Sequence, residues 1–191
     1  MKTWHRFAAC IALGLVGGAA YAVHQVRGDY ADKQVHNGQW SANTNQGTAS
    51  ASALTRAKVA LNGLLALPAK EAMYFITRTD SEGRPLEGRC TYTVTGGELD
   101  ARWWSVTLYK GEGWLVKNAA NRWSVAGNAP TRDAQGNWSF TVSPNPAEGV
   151  WLPTGGTPYF DLTLRTYHPR GALLNDPANA KLPTVTRKAC A

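Results

Sequence analysis

Beyond Pro68 the apolar residues of this chain recur at every second position, and that period restricts the fold more than any other feature. Residues 73–79 (MYFITRT) alternate and stop at the turn-forming run Asp80-Ser81-Glu82-Gly83-Arg84-Pro85. In 89–95 (RCTYTVT), Cys90, Tyr92 and Val94 take one side and Arg89, Thr91, Thr93 and Thr95 the other, because successive strand side chains point to opposite faces. Further strands are predicted over 102–109, 114–118, 122–126, 138–143, 150–152 and 159–168, with 110–113 (KGEG) as a hairpin loop. Trp103, Trp104, Trp114, Trp123, Trp138 and Trp151 all fall in this part, among Val, Thr, Tyr and Phe, residues that suit a pleated, half-buried surface. Short strands divided by Gly, Asn, Asp and Pro at even spacing predict a mainly β chain, an antiparallel β-sandwich of two sheets.

One helix is expected to pack on it. In 53–67 (ALTRAKVALNGLLAL), Leu54, Ala57, Leu61, Leu64 and Leu65 recur at three and four and form one apolar stripe. Ser52 stands where an N-cap belongs, and Pro68 closes the segment.

Before the domain lies a single hydrophobic segment. Lys2 and Arg6 precede an uncharged run, 7–23 (FAACIALGLVGGAAYAV), whose reach as a helix, about 25 Å, just crosses a bilayer core. Two export readings follow. As an uncleaved signal-anchor, the run leaves the N-terminus in the cytoplasm by the positive-inside rule and the rest of the chain outside, with the bilayer as partner of 7–23. As a signal peptide, it is cut near Ala22, where Ala20-Tyr21-Ala22 offers the small-x-small pattern. Residues 28–52, rich in Asn, Gln, Ser, Thr, Ala and Gly, read as a flexible tether. The expected organisation is therefore a membrane segment over 1–27, a tether over 28–52 and a β-sandwich domain over 53–191.

The residues of the β part also resemble a known family. Arg102-Trp103-Trp104-Ser105-Val106-Thr107-Leu108-Tyr109, Leu115-Val116, Asn118 and Asn121-Arg122-Trp123-Ser124 are similar to the bacterial family called domain of unknown function 1214. So are Trp151-Leu152-Pro153 and Leu162-Thr163-Leu164-Arg165-Thr166-Tyr167 ending at Pro169. The likeness runs over roughly 53–187 and departs in the tail, where Asn175-Asp176-Pro177-Ala178-Asn179-Ala180-Lys181 replaces the family's Gly and Trp. It implies a jelly-roll-like β-sandwich, often in short membrane-anchored proteins, and no established chemistry. With the anchor it places the domain in the periplasm on a single-pass inner-membrane protein, or secreted there if the segment is cut.

Several chemistries are not spelled here. The net charge of +7 falls to +4 from Gly28 onward, with 17 basic against 13 acidic residues mixed along the chain, so no basic stripe marks a nucleic-acid partner. The predicted domain holds one histidine, His168, too few for a His-rich metal site, and no cofactor motif is present. There is no Gly-x-Ser-x-Gly elbow and no phosphate-binding loop. Paired carboxylates for glycosidic cleavage stay open because their separation in space is invisible in sequence. Two functions of different class remain: a binding or structural module of the cell envelope, and a hydrolase or lyase acting on a glycan or small molecule.

For a ligand the residues to single out are Trp103, Tyr109, Arg165 and Tyr167. Alternation puts Trp103, Ser105, Thr107 and Tyr109 on one side of their strand, and Arg165 and Tyr167 opposite Leu162 and Leu164 on theirs. A guanidinium among rings can grip an anionic group while the rings cover an apolar body. A sugar or other small molecule would suit such a surface. Asp161 or a backbone carbonyl is the alternative partner for Arg165.

Outside the cytoplasm, paired thiols oxidise. With Cys10 in the hydrophobic segment, Cys90 and Cys190 remain to form a disulfide. Thiol labelling of the unreduced, denatured chain is accordingly expected to find neither Cys90 nor Cys190 free; labelling of both would refute the pairing.

Overall fold

The computed structural model describes residues 3–28, 33–61 and 65–191. It opens with α1 (Thr3–Arg27), which is long and apolar enough to cross a membrane and buries none of its residues. A short hairpin follows, β1 (Gln34–Asn37) and β2 (Trp40–Asn43), then α2 (Ala53–Leu61). The rest is mainly strand: β3 (Ala72–Thr77), β4 (Cys90–Gly96), β5 (Ala101–Lys110), β6 (Trp114–Leu115), β7 (Ser124–Ala126), β8 (Trp138–Ser143), β9 (Trp151–Pro153), β10 (Phe160–Pro169) and β11 (Thr184–Cys190), with a one-turn helix α3 (Gly171–Asn175) before the last.

The strands form two sheets. The larger runs β1-β2-β3-β10-β5-β6, with β7 also paired to β5; the smaller runs β11-β4-β8-β9. Every pair is antiparallel except β8 with β9, which is parallel. The chain is thus the expected mainly β, two-sheet protein with a single long apolar helix at its N-terminus. Its centre is the ladder of β5 against β10, where Leu162 faces Leu108, Leu164 faces Val106 and Thr166 faces Trp104. These residues point inward and meet Tyr92, Val94, Phe140 and Val142 of the smaller sheet in one core. The rings of Trp104 and Trp138 stack across the sheets at 4.3 Å between centroids, and Tyr92 meets Phe160 edge-on at 5.7 Å. Gly96, opposite Trp138 in the β4–β8 ladder, leaves room for that indole: a Cβ there would sit 2.4 Å from its ring.

Residues 28–52, expected as a flexible tether, instead supply β1 and β2 (29–32 lie outside the described residues). β2 pairs with β3, and Trp40 is buried with its Nε1 donating to the Pro183 carbonyl at 2.6 Å. One indole and a few backbone bonds outweigh the polar composition. The helix also departs from expectation. It starts as predicted, with Ser52 Oγ accepting from the Thr55 N–H at 3.1 Å, and is described as far as Leu61; residues 62–64 lie outside the described residues, and 65–67 are not helical. Thr55 and Lys58 are its buried residues, while Leu61 and Leu65 are exposed; Leu64 lies outside the described residues. Leu61 and Leu65 of the stripe are therefore not a seam packed on a sheet.

Cys90 and Cys190 are disulfide-bonded, and they face each other in the β4–β11 ladder. The same strand is tied a second time, by Asp80. Its fully buried carboxylate accepts from the Glu82 and Arg84 backbone N–H groups and from Arg84 Nε at 2.8 Å. Arg187 Nε of β11 lies 3.2 Å from Asp80 Oδ2, and Arg187 Nη1 lies 3.3 Å from Glu87 Oε1. Burial alone would raise this carboxyl, but the side-chain and backbone donors of Arg84 and the Glu82 N–H outweigh it and hold the pKa below the usual carboxylate value. The charge thus stabilises the fold above the unfolded pKa, and that contribution disappears as pH falls through the folded value. Removing one member of a buried ion pair costs about 3–5 kcal/mol. Asp80→Asn is expected to lose stability on that order at pH 7 in urea unfolding, with the gap to wild type closing as pH drops below about 4.

Candidate functional site

The outward face of the larger sheet is polar and aromatic, and the register fixes its rows. Tyr74 of β3, Arg165 of β10 and Ser105 of β5 lie side by side, as do Ala72, Tyr167 and Trp103. Ile76, Thr163 and Thr107 form a third row, and Asp161 faces Tyr109 in a fourth. Ser105, Thr107 and Thr163 are buried, a floor of small hydroxyls roofed by the larger side chains. A β-branched or hydroxylated residue fits this position because large neighbours at the diagonal sites cover it.

The four residues named from sequence all stand on this one face, on two directly paired strands. Trp103 and Tyr167 are in ring contact at 5.3 Å, and Trp103 keeps 43% of its surface exposed. Arg165 crosses the centre. Its guanidinium lies 5.3 Å from the Tyr109 ring and 5.7 Å from the Tyr74 ring, and Nη2 donates to the Tyr109 hydroxyl at 2.8 Å. The sequence offered Asp161 as an ion partner for Arg165. Among the described residues no carboxylate comes within ion-pair distance of it. The charge is met instead by a neutral phenol and two ring faces, which favour a cation without neutralising it.

Two further residues belong to the cluster: Tyr74, which was not singled out from sequence, and Asp161, which the sequence offered only as a partner for Arg165. Tyr74 donates its hydroxyl to the Leu65 carbonyl at 3.1 Å; burial, then the neighbouring Tyr167, push its phenol up against the lowering influence of Arg165. Asp161 is partly buried, and its desolvation raises the carboxyl to about 6, opposed by Arg78, a backbone N–H and Arg165. Alternation alone would have placed Tyr74 on an outward face. That β3 is the neighbour of β10 has no local sequence signal.

Two clefts lie elsewhere. One of about 530 Å³ is lined by Glu87, Arg89, Asn145 and Tyr159, and one of about 290 Å³ lies between the 47–51 loop and α2. On the Arg165 face Trp103 is exposed and Tyr74, Tyr109, Arg165 and Tyr167 are half-buried. His168 is exposed, with a positive φ of 45°, and its Nδ1 is 3.5 Å from Glu71 Oε2. Among the described residues no three His, Cys, Asp or Glu side chains converge in a group that would hold a metal ion.

The family model described as Protein of unknown function (DUF1214) matches residues 71–171, just over half of the chain, from the residue before β3 to the start of α3. Every residue of the Arg165 face on β3, β5 and β10 falls inside it. Among solved structures, the chain is similar to the VPA0106 protein from Vibrio parahaemolyticus, with a TM-score of 0.61 and 25% identity over 71% of this chain and 35% of that one. An uncharacterized protein from Burkholderia cenocepacia aligns with a TM-score of 0.43 and 18% identity over 63% of this chain and 30% of that one. The chain spans about a third of the length of these two structures. No curated protein matches it.

Asp161 gives a pH signature. Its folded pKa of about 6 stands above the unfolded value of about 3.9, so the folded state holds the proton more tightly and stability falls as pH rises from about 4 to about 6. Asp161→Asn carries no such titration. The variant is expected to match wild type near pH 3.5 and to exceed it by about 1–3 kcal/mol at pH 7.5 in chemical unfolding. A variant less stable than wild type at pH 7.5 would contradict the assignment.

Proposed function

This chain belongs to the family described as Protein of unknown function (DUF1214), and from that premise we propose that it is a membrane-tethered binding module of the cell envelope, with its ligand face on the outside of the larger sheet. The observation that carries the binding reading is Arg165: a guanidinium on the outer face, held between Tyr74 and Tyr109 and without a carboxylate partner among the described residues. A ligand that suits it has one anionic group for the guanidinium and a flat or apolar body for Trp103 and Tyr167. The buried hydroxyls of Ser105, Thr107 and Thr163 make the face shallow and rigid, which favours binding over a chemistry that excludes water.

Tethering and compartment rest on other features. α1 has the length and hydropathy of a span, and Lys2 and Arg6 at its N-terminal end favour a cytoplasmic N-terminus. The Cys90–Cys190 disulfide suits an oxidising compartment, which supports the periplasm for the domain. One observation favours an enzyme as second reading: Asp161, at about 6 and facing Tyr109 in register, is poised for proton transfer near neutral pH, as a lyase or hydrolase acting on a small molecule or glycan would need.

Calorimetric titration with 1-naphthoate and with its uncharged alcohol analogue tests the face. The wild-type chain is expected to prefer the anion, and Arg165→Met to weaken the anion about 10- to 100-fold while leaving the alcohol unchanged. Equal loss of both, or no preference in the wild type, would overturn the reading. For the tether, the chain recovered from cells is expected in the membrane fraction with residues 7–23 retained; a soluble product beginning at Val23 would show a cut leader instead.

A further inference from the structure

Only six residues, 28–33, separate the end of α1 from the start of β1. Fully extended they reach about 25 Å, so if α1 spans a bilayer, the domain stands at its surface rather than on a long stalk. One element is already held at that boundary. α2 touches α1, and Lys58 Nζ donates to the Gly28 carbonyl, just past the last residue of α1, at 2.5 Å. On and after this helix Leu61 and Leu65 are 74% and 79% exposed, although the sequence pattern marks them as an apolar stripe. Charge is mostly basic over the same stretch: between residues 33 and 70 the charged side chains are Lys33, Arg56, Lys58 and Lys70, with Asp32 and Glu71 at its two ends. Arg56 and Lys70 are exposed. Leucines bare to water, flanked by cations and joined to the end of an apolar helix, fit the headgroup layer of an anionic membrane.

We propose that α2 together with Leu65 is an interfacial foot, seating Leu61 and Leu65 at the headgroup–acyl boundary of an anionic bilayer and presenting Arg56 and Lys70 to its phosphates. The inference rests on α1 being a membrane span. Basic residues gain from the negative surface potential of such a membrane, and an apolar face of this kind sinks about 5–10 Å into the boundary. The Tyr74 hydroxyl bond to the Leu65 carbonyl joins the foot to the sheet that carries Arg165. The domain is thereby held in one orientation on the membrane, with two points of attachment instead of one.

The test uses the full chain, carrying Cys10→Ser and the native disulfide, with single cysteines introduced by Leu13→Cys, Leu61→Cys, Leu65→Cys or Gln135→Cys and labelled with an environment-sensitive fluorophore. Each is reconstituted into vesicles of phosphatidylcholine with phosphatidylglycerol and into vesicles of phosphatidylcholine alone. Iodide quenching at 61 and 65 is expected to fall severalfold below that at the exposed position 135 in the anionic vesicles. Protection is expected to weaken in phosphatidylcholine alone and in the Arg56→Glu, Lys70→Glu double variant. Labels at 61 and 65 quenched as strongly as at 135, with 13 protected, would overturn the foot and leave the span standing. Quenching at 13 as well would overturn the span and the foot with it. Equal protection in both vesicle types would overturn the phosphate contacts.

Discussion

The pairing of β5 with β10 is the constraint on which both halves of the molecule depend. The ladder runs from Phe160 opposite Lys110 to Pro169 opposite Ala101 and has β3 on one side and β6 and β7 on the other. Because side chains alternate, one register decides two surfaces at once. Its even positions on β10, Phe160, Leu162, Leu164 and Thr166, enter the core against the smaller sheet; its odd positions, Asp161, Thr163, Arg165 and Tyr167, make the outer face. A slip by one residue would bury Arg165 among tryptophans and expose the leucines. The apolar burial that fixes the core therefore also fixes the position of the guanidinium beside Tyr109, with no separate device needed.

What the sequence conveys follows from how local each signal is. β8 is found where the pattern puts it, and β3, β4, β5, β9 and β10 are displaced by a residue or two, because period-two alternation is written within the strand itself. β1 and β2 are different. Four residues each, with Trp40 as the only large apolar anchor, they hold because β3 offers an edge and the Pro183 carbonyl accepts from the indole. Nothing within 28–52 announces either partner. β11 has a similar dependence: Arg187 would be out of place near the core without Asp80, over a hundred residues earlier. In α2 the helical period marks the helix but not its destination, since a stripe of leucines does not say what covers it.

The site divides in the same way. That Trp103 and Tyr109 share a face, and Arg165 and Tyr167 share another, is legible from alternation within each strand. That the two faces are one surface depends on strand order, and Tyr74 enters only because β3 flanks β10 on the far side. The partner of Arg165 was the least legible feature. Asp161 is four residues away on the same side of the strand, but the extended backbone carries it toward Tyr109 and Arg78, while the Tyr109 hydroxyl reaches Arg165 first.

Two acids in this protein show how much the surroundings decide. Asp80 and Asp161 both leave water in part or altogether, and for both the loss of hydration is the largest influence, driving the pKa up. Asp80 is answered by two backbone N–H groups and by Arg84, so its pKa ends low, and its charge binds the 80–85 turn to Arg187 of β11. Asp161 meets only distant guanidinium charges and a backbone N–H, so its pKa stays at about 6 and its ionised form weighs against the fold near neutral pH. A fold that can compensate one carboxylate so fully has the means to compensate another. Where it leaves one uncompensated, on the face that also carries Arg165 and Trp103, the missing partner is best sought outside the chain.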